Sequence, residues 1–326
     1  MRERPGERMV KKTEFWYDSR DQKTKIAATQ WTPDGQDAKA IVQIVHGMAE
    51  HMGRYEEFAQ FLAENGMIVV ASDMLGHGKT LGESGIKGYF CNQDPATVLV
   101  RDVHRLKKIT QEKYKKLPYI ILGHSMGSFI LKDYLSRYGS GIDGAILCGS
   151  GCPSYAKQKM GSGLAKLFMI IQGDGHTNEF LQKLSFKGYN NKITAPKTEV
   201  DWLCTDKDIL DAYRKDPLCG FAFTNNGYRT LGEIIRRGAQ EKKKGKYAIV
   251  PRKLPILVAS GKGDPVGNYG RDPQEFYDFL INIGLTRVQL KLYNEARHEI
   301  LNGTDRQTVY EDMRNWILSI GGSRNE

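Results

Sequence analysis

The first arrangement in this chain that could break a covalent bond is a serine set between two glycines, each two residues away. It stands in Tyr119-Ile120-Ile121-Leu122-Gly123-His124-Ser125-Met126-Gly127-Ser128. An apolar run ends at Leu122 and a helical pattern starts at Met126, so Ser125 falls at a strand–turn–helix corner. Such a corner lifts the hydroxyl off the sheet edge. Its tightness calls for glycine on both sides, one for the backbone angles and one for the close approach of helix to strand. A hydroxyl is a weak nucleophile until a base takes its proton, and the oxyanion that then develops needs N–H donors. The Met126 N–H, at a helix start where the dipole favours negative charge, is one candidate.

Seven histidines compete for the role of base: His46, His51, His77, His104, His124, His176 and His298. Three precede the nucleophile. His104 sits inside a predicted helix, His124 cannot turn back on its own neighbour, and His176 falls where no strand pattern exists. His298 follows the last predicted strand, in Glu295-Ala296-Arg297-His298-Glu299, and is the expected base. The acid that orients the imidazole is expected between serine and histidine, just past an intervening strand. Asp264, in Gly261-Lys262-Gly263-Asp264-Pro265-Val266, meets that condition. Asp272 is the fallback, although its place before a helix suits an N-cap. A second oxyanion donor is expected at the backbone N–H of Met48, in Val45-His46-Gly47-Met48-Ala49-Glu50-His51, with about 3 kcal/mol of transition-state stabilisation per donor. The implied chemistry is acyl transfer through an ester on Ser125. No metal is needed for it, and no cofactor motif appears.

The elements that must hold these residues alternate in type. Runs 13–17 and 25–31 read as an antiparallel hairpin. Short apolar runs at 40–45, 67–71, 119–122, 144–148, 256–260 and 288–293 read as buried strands. Amphipathic patterns at 55–64, 95–114, 126–138, 273–283 and 305–320 read as helices. The expectation is an α/β fold, a mostly parallel sheet with helices on both faces. The alternation fails for about a hundred residues, where only 163–172, 179–184 and 230–240 look helical and 241–246 reads as a basic loop. Residues 1–151 and 251–326 are therefore expected to form the core and 152–250 an inserted helical cap.

Together these segments resemble the monoacylglycerol lipase and lysophospholipase branch of the α/β-hydrolases, also labelled serine aminopeptidase-like. The matching stretches are His46 to His51 with Arg54-Tyr55, Asp73-Met74-Leu75-Gly76-His77-Gly78, the serine and aspartate motifs above, and Ala296 to Glu299. Within the insertion, 198–203 and 216–221 also match. The resemblance runs from about residue 16 to residue 320. It implies a triad of Ser125, Asp264 and His298, oxyanion donors at Met48 and Met126, and a cap that shapes the acyl and alcohol sites. The chain departs from the family at Met48, where a small residue is usual, and near Thr80, where a serine is. Neither change touches the chemistry, because the donor at 48 is a backbone group.

The resemblance implies a serine hydrolase of carboxylic esters, of monoacylglycerol or lysophospholipid type. Other readings stay open: a small-ester carboxylesterase, an aminopeptidase whose amine would need acids such as Glu199, Asp201, Asp206 and Asp208, and a hydrolase-fold ligand receptor with little turnover. Leu164, Leu167, Phe168 and Ile171 lie at helical spacing and either line the mouth of an apolar tunnel or dock the cap on the core.

The totals fit this reading. Of 326 residues 40% are apolar, enough for a sizeable core, and the formal net charge is +10. A basic balance admits nucleic acid, an anionic membrane surface or an acidic substrate. No zinc-finger spacing or RNA-binding aromatic signature accompanies it, so no nucleic-acid partner is expected. Lys242 to Lys246 read as a solvated charge run, with peripheral contact to anionic lipid or a phosphate head group as the alternatives. The five cysteines form no CxxC pair and read as free thiols. No signal-peptide core and no apolar run of roughly 18 residues is present, so the expected location is cytoplasmic.

Overall fold

The structure, a computed structural model, describes residues 10–322 apart from 36, 82–83, 153–154, 245–246 and 248–249; of 155–160, 239–244 and 321–322 only the backbone is described. Among the described residues eight strands form one sheet, in the order β1-β2-β4-β3-β5-β6-β7-β8. β1 (Val10–Asp18) and β2 (Lys25–Pro33) make the antiparallel hairpin, in register from Val10 opposite Pro33 to Asp18 opposite Lys25. β2 also pairs antiparallel with β4 (Met67–Ser72). β3 (Ala40–Val45), β5 (Tyr119–His124), β6 (Gly144–Cys148), β7 (Ile256–Gly261) and β8 (Val288–Tyr293) run parallel to β4 and to one another.

The apolar runs become central strands because both of their faces are covered. Ile41, Ile121, Leu147 and Val258 point to one side and pack with α2 (Pro95–Lys113), α3 (Met126–Tyr138) and α8 (Arg271–Asn282). Their alternates Val42, Ile120, Ile146 and Leu257 point to the other and pack with α1 (Glu56–Glu64) and α9 (Arg306–Gly322). With a side-chain period of two, a continuous apolar run serves both cores, and each fully buried Ile or Leu contributes roughly 1.5–3 kcal/mol.

Among the described residues four α-helices are inserted between β6 and β7: α4 (Tyr155–Gln172), α5 (Glu179–Ser185), α6 (Lys207–Lys215) and α7 (Asn225–Lys244). Three expectations need correction. α6 has no counterpart in the sequence reading, although Asp206 caps it through the N–H groups of Asp208 and Ile209. The run from Glu241 is not a loop as far as Lys244: α7 continues through it, since Glu and Lys are good helix formers. The side chains of Lys242 to Lys246 lie outside the described residues. Asp272 is also not an N-cap. Gly270 takes that place, and Asp272, in the first turn of α8, accepts the Cys152 N–H at 2.7 Å.

All five cysteines are free thiols. Among the described residues no helix is long and apolar enough to cross a membrane.

Candidate active site

The chain leaves β3 to build β4 on one side and returns to build β5 on the other. The crevice beyond the carboxyl ends of β3 and β5 is therefore the switch point where open α/β sheets bind ligands. Each residue singled out for chemistry follows a strand at that end. The loop with Met48 leaves β3, Ser125 leaves β5, Asp264 follows β7 and His298 follows β8.

Ser125 has φ 50° and ψ −117°, between the last residue of β5 and the first of α3. Its N–H donates to the Cys148 carbonyl at 3.0 Å, and its carbonyl accepts from the Ser128 N–H at 2.9 Å. The division of labour between the flanking glycines differs from expectation. A Cβ on Gly123 would lie 2.4 Å from the Gly127 carbonyl oxygen, and one on Gly127 would lie 2.1 Å from that of Val45. Both positions need glycine for close approach, and the left-handed angle falls on the serine itself. Gly127→Ala is accordingly expected to cost about 2 kcal/mol or more, because the methyl would meet backbone that cannot move aside. Urea unfolding checks this; a variant of native stability would show that the turn is looser than this geometry.

His298 Nδ1 lies 3.0 Å from Asp264 Oδ2. Both side chains are buried, Asp264 completely. The second carboxylate oxygen of Asp264 accepts the Val266 N–H at 2.8 Å. The His298 segment is also held by the insertion, since Trp202 and Leu203 carbonyls accept the N–H groups of His298 (3.4 Å) and Glu299 (2.7 Å). The Trp202 ring packs 5.1 Å from the imidazole.

In the β3 loop, the Gly47 N–H donates to Glu50 Oε1 at 2.5 Å and the Ala49 N–H to His77 Nε2 at 3.3 Å. The Met48 N–H between them has no acceptor among the described residues, and the Met126 N–H, first in α3, has none within its helix. Both residues line the same cavity as Ser125 and His298.

The other buried histidines are occupied. His46 accepts the Met74 N–H through Nε2 and faces the Gly47 carbonyl through Nδ1, and burial pushes it down to about 4. Burial likewise pushes His77 to about 3. His104 stacks on Tyr138, and His176 is exposed. His124 faces acceptors on both nitrogens, Glu50 Oε1 at 3.3 Å and the His298 carbonyl at 3.4 Å. Burial works against its charge, but the Glu50 carboxylate outweighs this and raises it above the usual imidazole range.

His124 belongs to a buried ionic cluster that the sequence reading missed. Arg54 bonds Glu299 with both terminal nitrogens, at 2.6 and 2.7 Å, and Glu50 at 2.8 Å. Tyr55 donates to Glu50 at 2.8 Å and Asn302 to Glu299 at 3.0 Å. Burial disfavours both carboxylates, yet His124 and Arg54 hold Glu50 well below the usual range, and Arg54 lowers Glu299. The Glu50/Arg54 spacing of four was the available signal; the pairing with Glu299, 245 positions on from Arg54, was not. The cluster ties together the β3 loop, the β5 corner and the His298 loop.

The cavity has a volume of about 1400 Å³, above the roughly 300–1,000 Å³ of common small-molecule sites. Phe129, Leu164, Leu181, Tyr228, Leu231 and Ile235 make an apolar wall, while Lys183, Glu199, Arg214 and Lys215 are exposed at its edge. Of the four α4 residues proposed as a lining, Leu164 is part of this wall. Phe168 lines a smaller neighbouring pocket and touches Phe180. Leu167 and Ile171 are 51% and 69% exposed and line neither, because helical spacing defines a stripe and not the side on which it finds a partner.

The family model "Serine aminopeptidase, S33" matches residues 36–305. The chain is 41% identical to the monoglyceride lipase of Homo sapiens over 88% of this chain and 84% of that one. It is 26% identical to the monoacylglycerol lipase of Mycolicibacterium smegmatis over 90% and 93%. A crystal structure of a thermostable carboxyl esterase from Bacillus coagulans in complex with glycerol superposes with a TM-score of 0.85 at 32% identity, covering 95% of this chain and 99% of that one. With the strand order and the serine corner, these likenesses settle the lineage: the chain is an α/β-hydrolase of the serine aminopeptidase S33 family, related to the monoacylglycerol lipases.

Proposed function

We propose that this serine-hydrolase-type enzyme cleaves carboxylic esters of small or lipid alcohols, monoacylglycerols and lysophospholipids foremost, through an acyl-enzyme on Ser125. The observation that carries this reading is the convergence of a strained serine corner and a buried histidine–aspartate pair on one large, largely apolar cavity. Ser125 attacks the ester carbonyl as His298 takes the hydroxyl proton. Asp264 fixes the imidazole tautomer and stabilises the imidazolium without itself taking the proton. The oxyanion rests on the N–H groups of Met48 and Met126. His298 gives its proton to the leaving alcohol, then takes one from a water whose hydroxyl adds to the acyl carbon, and hands that proton to Ser125 Oγ as the acid leaves.

The inserted region, taken as 152–250, acts as the cap over a core of 1–151 and 251–326. Leu164, Leu181 and Tyr228 suit an acyl chain, and the cationic edge of Lys183, Arg214 and Lys215 suits a polar or phosphorylated head group. The glycerol held by the Bacillus coagulans esterase is the leaving alcohol of a monoacylglycerol. An amine-binding acidic pocket is disfavoured. Asp201 accepts from the Lys197 N–H and Thr198, Asp206 caps α6 and pairs with Arg306, and Asp208 is exposed in the first turn of α6; Glu199, at the cavity edge, faces Arg214 at 3.6 Å.

Incubation with a monoacylglycerol and a lysophospholipid of matched acyl chain, beside Ser125→Ala, tests the reading by fatty-acid release. Release that vanishes in the variant is expected. Absence of release from both substrates and from a short activated ester would overturn it.

The outer face of α4 offers a route from lipid to cavity. Leu167, Ile170 and Ile171 are 51–75% exposed, beside the exposed Phe180 and Leu184 of α5. Replacing all three α4 residues with serine is expected to lower partition onto anionic vesicles at least about fivefold, given the apolar area removed. Hydrolysis of a short soluble ester should stay unchanged. Equal vesicle partition before and after would remove the membrane contact from the account.

A further inference from the structure

Three side chains meet where the inserted region touches the β3 loop, outside the machinery above. His51 Nε2 lies 2.9 Å from Asp216 Oδ2, and the ligand atoms of His51, Asp216 and Cys219 all lie within 4.8 Å of one another. His51 ends the loop that carries Met48. Asp216 follows α6, and in the turn it begins the Gly220 N–H donates to the Ala49 carbonyl at 2.9 Å. Cys219 lines the cavity, so the cluster is reachable from it.

We infer that His51, Asp216 and Cys219 form a binding site for a borderline-soft divalent cation, zinc above all, and that the bound ion clamps the β3 loop to the inserted region and slows turnover. Imidazole, carboxylate and thiolate together are a zinc donor set, and three protein ligands leave a fourth position for water. Zinc bonds of about 2.0–2.3 Å set neighbouring ligand atoms of a tetrahedron roughly 3.3–3.8 Å apart, so the His51–Asp216 pair need open by only about half an ångström. The Gly53 N–H now donates to His51 Nδ1 at 3.2 Å, which places the ring proton on Nε2. Ligation through Nε2 moves that proton to Nδ1 and gives up this long hydrogen bond. The Cys219 thiol loses its proton to solvent, so one proton leaves per ion bound. Burial pushes the Cys219 thiol up, while the nearby Arg54 favours its thiolate; burial also disfavours the Asp216 carboxylate, but the Leu218 N–H and His51 bring it below the usual range.

The site does not rest on the ester-hydrolase reading; only its effect on turnover does. The full chain, kept reduced with a non-chelating phosphine, is titrated with cobalt(II) while near-ultraviolet absorption is followed, then with zinc(II) by calorimetry. One ion per chain, a thiolate-to-cobalt band that zinc displaces, and a chelator-reversible loss of esterase rate are expected. Cys219→Ser should abolish the band, and Cys219→Ser and Asp216→Asn should each weaken zinc binding at least tenfold. Inhibition in each variant is scaled to its own metal-free rate, and unfolding curves check that both fold. A band that persists in Cys219→Ser, or zinc affinity and inhibition equal to the native chain in both variants, would place the ion elsewhere and overturn the site. Binding at the site without loss of rate would overturn the clamp.

Discussion

Ser125→Gly is expected to abolish ester cleavage and to raise the unfolding temperature in the same molecule. The loss of activity follows from loss of the proposed nucleophile, a fall of at least about 10⁴-fold in kcat, with the remaining rate left to the proposed oxyanion donors and binding. The gain in stability follows from the backbone. A non-glycine residue at φ 50°, ψ −117° carries strain of order 1–3 kcal/mol. Glycine removes that strain, against roughly 0.5–1 kcal/mol of added chain entropy in the unfolded state. A net gain of about 1 kcal/mol corresponds to a rise of a few degrees in a chain of this size. Ser125→Ala is the matched control: it loses the hydroxyl, keeps the strain, and should be equally inactive without being more stable. If the glycine variant melts no higher than the alanine variant, the corner stores no strain.

Arg54→Met is expected to produce the largest loss of stability of any single change at the site. The guanidinium is the common partner of Glu50 and Glu299, and all three side chains are nearly excluded from water. A buried pair contributes little against an apolar replacement, but removing one partner strands charge, at about 3–5 kcal/mol. Here two carboxylates are stranded, with only His124 to balance them. The urea midpoint should fall sharply and the unfolding temperature by roughly 10 °C. Activity should fall too, because Glu50 holds the Gly47 N–H beside Met48. Adding Glu50→Gln and Glu299→Gln should recover part of the stability, a recovery that simple loss of packing would not show. A loss below about 1 kcal/mol would mean that water reaches the cluster.

The same cluster sets a pH dependence of stability. Glu50 and Glu299 titrate lower folded than unfolded, so their contribution is present above the ordinary carboxylate value, about pH 4.3, and is lost as pH falls through their lowered values. His124 titrates higher folded than unfolded, so its contribution is full below about pH 6.5 and is lost as pH rises through its raised value. Stability should therefore peak between those limits, and His124→Asn should flatten the alkaline side.

How much of this was readable in the residues depends on how local each cause is. Central strands and the helices around them follow from runs of five to twenty residues, and Ala40–Val45, Met126–Tyr138, Gly144–Cys148 and Val288–Tyr293 form at their expected bounds. Ser125, Asp264 and His298 could be singled out because each sits just past a strand end. Their nearness in space then follows from a parallel sheet, whose carboxyl ends share one edge. The insertion was harder. Its helices bury one stripe against the core or one another, and α6 is nine residues long with its apolar contacts in a separate small cluster around Trp202 and Leu203. Composition marked Glu241 onward as charged, but charge does not separate a loop from a solvated helix face. Least readable were pairings set by tertiary contact alone: Arg54 with Glu299, Asp272 with the Cys152 N–H, and the outward turn of Leu167 and Ile171.

Acylation of Ser125 is open to covalent trapping. The native chain and Ser125→Ala are treated with a fluorophosphonate, which reacts with an activated serine and mimics the tetrahedral intermediate. Intact mass and peptide mapping follow. One adduct per native chain is expected, on the peptide that carries Ser125, with none on the variant and parallel loss of esterase rate. An unlabelled native chain that still cleaves esters, or an adduct on another residue that tracks the loss of rate, would contradict it.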